Sequence, residues 1–483
     1  MIKLQGFAPD VDPYTAGVIT DCDNMTPTVK GFRSSPDPVA TDYPALAAEC
    51  QGAAIRLKLD GSYRLFAGTG TDLYEGANGV WTSITRLSGS YNVSIDDRWQ
   101  FAQFGDVTLA TNKADVIQEI NAAANFADIS GAPKARHIET VSGFVMIADT
   151  DDTTYGEQSD RWWCSALYDH TDWTPSISTQ CTTGRLVDAP GGITGLKRLG
   201  KDIVAYKERS IFLGRYIGSP LVWSWQQIPG EAGVLSPECI VGIGSAHLFI
   251  GYDDIYYFDG TRPVPVGNAV KDWFFADMDK SYRYKIIGAH DRLNSSVYWF
   301  YPSSDSDGAL DSCLIYNYKS KQWGKATYSV EVAAETLTGQ VTYDSLGNVF
   351  ATYDDLPEIS YDSPFWQTAA PVISVFNTSH ELKTLTGSGS SMSITTSIMG
   401  DDDAFSLLRR VRPRFATAPT SATMTNYYDD VSGENMTQDT ITTMVDGKFD
   451  VLRSSRWHKL TFDFTGETII TGFTADNVPS GDE

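Results

Sequence analysis

The chain has 483 residues, is 42% hydrophobic, and sets 37 Lys and Arg against 61 Asp and Glu, a net charge of −24. This length can bury a sizeable core and suggests about two to four domains, whereas the acid excess argues against a general nucleic-acid binder, whose phosphate contacts need clustered cations; a protein past which DNA slides stays open. No run of about 18 apolar residues occurs, and the first residues lack a basic stretch followed by an apolar core, so the expectation is a chain made in a cytoplasm without membrane insertion.

Glycine (41), Tyr (24), Phe (22) and Trp (12) favour pleated strands and tight turns, and capped helical stripes are almost absent, so the predicted class is all-β. Residues 1–50 carry Pro9, Pro13, Pro27, Pro36, Pro38 and Pro44, too many for a continuous ladder. They predict an extended N-terminal arm laid over a surface or a neighbour. From 51 to 370 a unit recurs: a short apolar strand, a polar or Gly turn, and a second apolar strand. Examples are "YRLFAGTGTDLYE", "WQFAQFGDVTLAT" and "LKRLGKDIVAYKERSIFLG".

Taking Gly70, Gly105, Gly143, Gly200, Ser245, Asn294 and, in a weaker seventh copy, Gly347 as the turns, the spacings run from about 35 to 57 residues. That is the signature of propeller blades, and six blades are expected. Trp81, Trp223, Trp225 and Trp323 each follow or sit in a strand that would close a unit; broad rings there fill the gaps between wedge-shaped sheets. "GYDDIYYFDG" (251–260) reads as part of the fifth unit, with Asp253 and Asp254 in the turn and "IYYF" as the next strand. Two stretches with helical spacing, near 113–129 and 268–282, are short connectors at most.

After about 370 the period stops. A Ser/Thr/Gly-rich passage leads into long alternating strands of a β-sandwich type, a C-terminal β-domain over 371–483. Within it, "LLRRVRPRF" places Arg409, Arg410, Arg412 and Arg414 close together. In a strand Arg410, Arg412 and Arg414 would share one face, either solvated or docked on an acidic neighbour.

No catalytic or metal-binding pattern is complete in the sequence. "SSDSDGALDS" (303–312) misses the sialidase-type turn and the calcium loop, since position twelve lacks Glu. "DTDDTT" and "GDDDAF" read as solvated acidic loops. The six histidines are scattered, with neither H-E-x-x-H nor G-x-S-x-G, and the six cysteines lie too far apart for a zinc site and read as buried free thiols. No cofactor and no metal site is expected, and the chain reads as a non-enzyme.

The segment "GFAPDVDPYTAGVITDCDNMTPTVKGF", with its P-D-x-D-P-x-T-x-G-V-x-x-D run over Pro9 to Asp21, then Asn24 to Thr28 and Gly31-Phe32, resembles the start of the tail nozzle proteins of short-tailed bacteriophages (podoviruses), also called packaged-DNA stabilisation or tail hub proteins. "DDIYYFDG" with "RPVPVG", and "SSRWHKLTFDFTGE", are similar to that family's blades and C-terminal strands. The resemblance implies a structural virion protein, typically a hexamer ring at the distal end of the tail and assembled in the host cytoplasm. It further implies docking to the tail adaptor protein and to tail fibre or spike proteins, and a channel that is closed and then conducts genomic DNA at ejection. An acidic lumen would let DNA pass without sticking. The alternative expectation is a phage receptor- or glycan-binding propeller, with Tyr256, Tyr257 or Trp299 stacking on sugars, and less so a glycan-cleaving enzyme with paired carboxylates.

Overall fold

A computed structural model describes residues 1–337 and 371–481. The fold is an all-β propeller joined to a β-sandwich. Six antiparallel four-strand units follow one another between residues 52 and 337. In each, a meander runs from an inner strand outward. The inner strands are Gly52–Leu57, Gln100–Phe104, Lys134–Val141, Ile193–Leu199, Val241–Gly242 and Ile287–Asp291, and those of adjoining blades largely pack on one another around the axis. Between blades lie layers of buried side chains. Phe66, Trp99 and Phe101 sit between the first two blades, and Leu65 and Ala67 of the first blade pack on Ile287, Tyr298 and Val330 of the sixth, closing the ring.

The repeat spacing locates five hairpins correctly. Gly105, Gly143, Gly200, Ser245 and Asn294 all lie between the first and second strands of their blades. Gly70 does not: it lies between the second strand, Tyr63–Gly68, and the third, Leu73–Ala77, and the equivalent turn is at Gly61. Both hairpins of that blade have the same apolar-turn-apolar pattern, so the pattern alone does not set the phase. The weaker seventh copy at Gly347 lies outside the described residues. Trp81, Trp223, Trp225 and Trp323 sit on outermost strands, Val80–Ser83, Val222–Ile228 and Gln322–Leu337. Of the two helical stretches, the second forms the helix Lys271–Asp277, while the first becomes the strands Gln118–Ile120 and Ala127–Asp128. There Ile117, Ile120, Phe126 and Ile129 are buried between blades, and packing overrides local propensity.

Two six-stranded antiparallel sheets make the sandwich. One places Phe405–Thr417 between Ile469–Gly481 and Phe449–Ser455; the other places Trp457–Thr465 between Ser391–Thr396 and Ser421–Asp429. Ile394, Leu408, Val411, Met424, Phe462 and Phe473 form their shared core.

The N-terminal residues, expected as an extended arm laid over a surface or a neighbour, are built into the sheets instead. Ile2–Lys3, Met25–Thr28 and Gly31–Ser34 join the first sheet and Ile19–Asp23 the second. The prolines are accommodated because Pro27 and Pro38 occupy edge strands, Met25–Thr28 and Asp37–Ala40, where a missing N–H costs no ladder bond. The C-terminal part differs too: the outer strand of the sixth blade runs on to Leu337 and pairs with Pro371–Asn377, then Leu382–Gly387, then Asp37–Ala40, so residues 371–387 extend the propeller's sheet rather than the sandwich. The expected boundary at 370 itself lies outside the described residues. Among the described residues no helix is long and apolar enough to cross a membrane.

Candidate functional site

The arginine run lies on the central strand Phe405–Thr417, and the structure divides it. A register shift between Leu408 and Arg410 interrupts the alternation, so Arg409 and Arg410 turn to different neighbours. Arg409 Nη2 lies 2.9 Å from Asp476 Oδ2, and Arg410 Nε lies 2.6 Å from Asp450 Oδ1, with Lys448 at 3.4 Å from the same carboxylate. Arg410 holds the Asp450 carboxyl below its usual range. From Arg410 on the alternation is unbroken: Val411 and Pro413 are buried, while Arg410, Arg412 and Arg414 share the outer face as expected, Arg412 and Arg414 exposed opposite Thr474 and Gly472. Among the described residues neither has an acidic partner within 4.0 Å. The run thus reduces to two unneutralised cations side by side.

The acidic aromatic stretch is strand and turn. Gly251 follows His247–Ile250, and Ile255–Phe258 is the next strand. Its two aspartates differ, however. Asp253 is exposed and accepts a bond from the Tyr256 hydroxyl at 2.9 Å. Asp254 is only 6% exposed, and its Oδ1 accepts from the N–H of Ile255 at 2.7 Å and of Gly267 at 3.1 Å. Burial raises its pKa against the pull of those donors. Of the aromatics expected to stack on sugars, two are core: Tyr256 is 9% exposed and Trp299 0%, with the Trp299 Nε1–H donated to Cys239 O at 2.9 Å; Tyr257 is half-buried.

The N-terminal segment clamps sandwich to propeller. The Asp10 carboxylate accepts from the N–H groups of Asp272 at 2.7 Å and Trp273 at 2.9 Å, occupying orphan donors in the first turn of the helix Lys271–Asp277. Phe7 meets the Trp273 ring edge-on, centroids 4.8 Å apart. Asn24, at φ 50°, accepts from the Thr327 N–H at 3.2 Å, and Asp23 accepts from the Thr327 hydroxyl at 2.8 Å. A Cβ on Gly324 would collide with the Met25 carbonyl oxygen, so this close crossing requires glycine.

Among the inner strands Gln100 Nε2 donates to Glu238 Oε1 at 2.8 Å. Gln100, Pro237 and Glu238 separate two polar cavities, of about 400 Å³ and 550 Å³. Toward the Gly105 and Gly143 turns lies the smaller, where Arg56 donates to the Ile55 and Phe101 carbonyls near Glu139. The larger opens at the opposite ends of the inner strands. Beside it His137 is fully buried, donates Nε2–H to Ile193 O at 3.1 Å, and has its pKa lowered by burial to about 4. Its residues come from widely separated segments, so no local spacing announces them.

All six cysteines are buried and free. In the 303–312 stretch Asp311 accepts from the Ser303 N–H at 2.8 Å and its hydroxyl at 2.6 Å, a turn built from its own chain. Among the described residues no group of three or more His, Cys, Asp or Glu side chains is arranged to hold a metal ion.

No family model matches the sequence and no curated protein matches it. Among solved structures the chain is similar to the Neurospora crassa Pan2 WD40 domain (8% identity, TM-score 0.40, 74% of this chain and 96% of that one). It is also similar to the N-terminal domain of Nup159 (10%, 0.37, 75% and 97%). A third is the extracellular domain of the hybrid two-component system BT4673 from B. thetaiotaomicron (10%, 0.39, 87% and 47%).

Proposed function

We propose that the chain is a structural virion protein of a short-tailed bacteriophage: a tail nozzle or hub subunit that forms a ring, expected to be a hexamer, at the distal end of the tail. In this reading the ring docks on the tail adaptor, carries fibres or spikes, and closes and then conducts the DNA channel. The observation that carries it is the position of the nozzle-like residues. Asp10, Asp23 and Asn24 spend their side chains on joining propeller to sandwich, as a scaffold motif does, rather than presenting them to a ligand. Two features fit the same role. The net charge of −24 disfavours retention of passing DNA, and the unneutralised Arg412 and Arg414 offer a cationic contact on an otherwise acidic protein.

The test is antibody labelling of the phage particles that carry the chain. Label confined to the tail tip supports the reading, and particles without label refute it.

A further inference from the structure

The larger axial cavity carries an inference beyond the assembly role. It measures about 550 Å³, inside the range of about 300–1,000 Å³ typical of small-ligand sites. Its charges nearly cancel. Three guanidinium groups, of Arg98, Arg136 and Arg283, face four carboxylates, of Asp96, Asp97, Glu208 and Glu238. An anion such as phosphate needs a cation surplus, which this wall lacks. A metal ion would need three or more converging ligands, and among the described residues no such group is arranged. Asp97 holds Arg136 at 3.2 Å, Asp96 accepts from the Tyr284 hydroxyl at 2.6 Å, Glu238 accepts from Gln100, and Glu208 faces Tyr252.

What remains for a ligand is a different chemistry. Arg98 donates one N–H to the Glu331 carbonyl at 3.2 Å, leaving most of its five donors unspent. The Arg283 guanidinium lies 4.9 Å above the Tyr252 ring, and Tyr284 adds a second aromatic face. Each carboxylate keeps acceptor capacity beside these donors. Donors and acceptors on one wall, beside two tyrosine rings, match a ligand whose hydroxyls both give and accept and whose C–H faces stack.

We propose that this basin binds a neutral polyhydroxylated ring, a sugar residue or short oligosaccharide, with Tyr252 and Tyr284 as stacking faces and Arg98 and Arg283 as hydroxyl partners. The basin lies in the propeller and Arg412 and Arg414 lie on the sandwich, so its test does not depend on assembly. The purified chain would be titrated with maltose, lactose and N,N′-diacetylchitobiose, and with glucose 6-phosphate, followed by ligand-observed NMR. The expected result is binding of at least one neutral disaccharide with Kd on the order of 1 mM, weakened about tenfold or more in Tyr252→Ala and in Arg283→Ala. Lys201→Ala, at the far end of the axis, should bind as the parent does. Since Arg283 is exposed, its truncation leaves the fold in place, and unchanged melting of that variant confirms this. No binding by any neutral sugar, tighter binding of the phosphate ester, or undiminished binding in both variants would overturn the proposal.

Discussion

Glu331 Oε1 lies 2.6 Å from His380 Nδ1, joining the outer strand of the sixth blade to the hairpin that extends its sheet. The other oxygen of the same carboxylate accepts from the Cys50 N–H at 3.0 Å, at the entry to the first blade. One buried side chain therefore ties the two ends of the propeller ring. Glu331→Ala would strand the Cys50 donor, and denaturant unfolding should show a loss of about 1–3 kcal/mol. His380→Ala should cost less, because His380 is partly exposed and the Cys50 bond survives. Equal, negligible losses in both would show that the ring closes by apolar packing alone.

The two aspartates of the 251–260 turn should separate in the same assay. Asp254→Ala leaves the Ile255 and Gly267 N–H groups without their acceptor and is expected to cost about 1–3 kcal/mol. Asp253→Ala, on the exposed side, should stay within about 0.5 kcal/mol.

Stability should fall as the solution is acidified from neutral pH. Burial lowers the pKa of His137 and of His247 to about 4, against 6.5 for the ordinary side chain. Between those values the unfolded chain binds protons that the folded chain refuses, so unfolding is favoured progressively as pH drops from about 6.5 to about 4, by about 3 kcal/mol per histidine at the limit. His247 accepts from the Tyr206 hydroxyl at 2.7 Å and donates to Arg198 O at 2.9 Å. Melting temperature against pH should therefore be shallower in His247→Gln than in the parent, and an unchanged slope would exclude this histidine as a cause.

The split of the arginine run predicts unequal effects on self-association. Arg412→Glu with Arg414→Glu should weaken association, more so at low salt, with melting unchanged. Arg409→Ala with Arg410→Ala removes exposed intrachain pairs and should leave the melting temperature and association nearly unchanged. Association that responds equally to both pairs would contradict the division.

Where the sequence was legible, the signal was local. The turns at Gly105, Gly143 and Gly200 have positive φ and glycine supplies it, so the hairpins announce themselves. The N-terminal strands did not. Ile2 pairs with Phe473 and Arg33 with Ile469, partners on the far side of the chain; of the prolines that suggested an arm, Pro27 and Pro38 lie in edge strands and Pro9, Pro13, Pro36 and Pro44 fall between strands. Asp253 and Asp254 are indistinguishable as letters; only the approach of Gly267 makes one of them structural. The arginine run kept its strand and the shared face of Arg410, Arg412 and Arg414, which alternate without a shift; what the letters did not announce is Asp450, brought opposite Arg410 by the neighbouring strand. Of the axial basin, Arg98, Arg136 and Arg283 come from different blades and meet only when the ring closes.

The most direct test of the central claim is single-particle electron microscopy of the purified chain, alone and with the tail adaptor. The account predicts closed rings, six subunits around an open axis, with the Arg412 and Arg414 face at a subunit or adaptor contact. Monomers under all conditions, with that face in solvent and no adaptor bound, would contradict it.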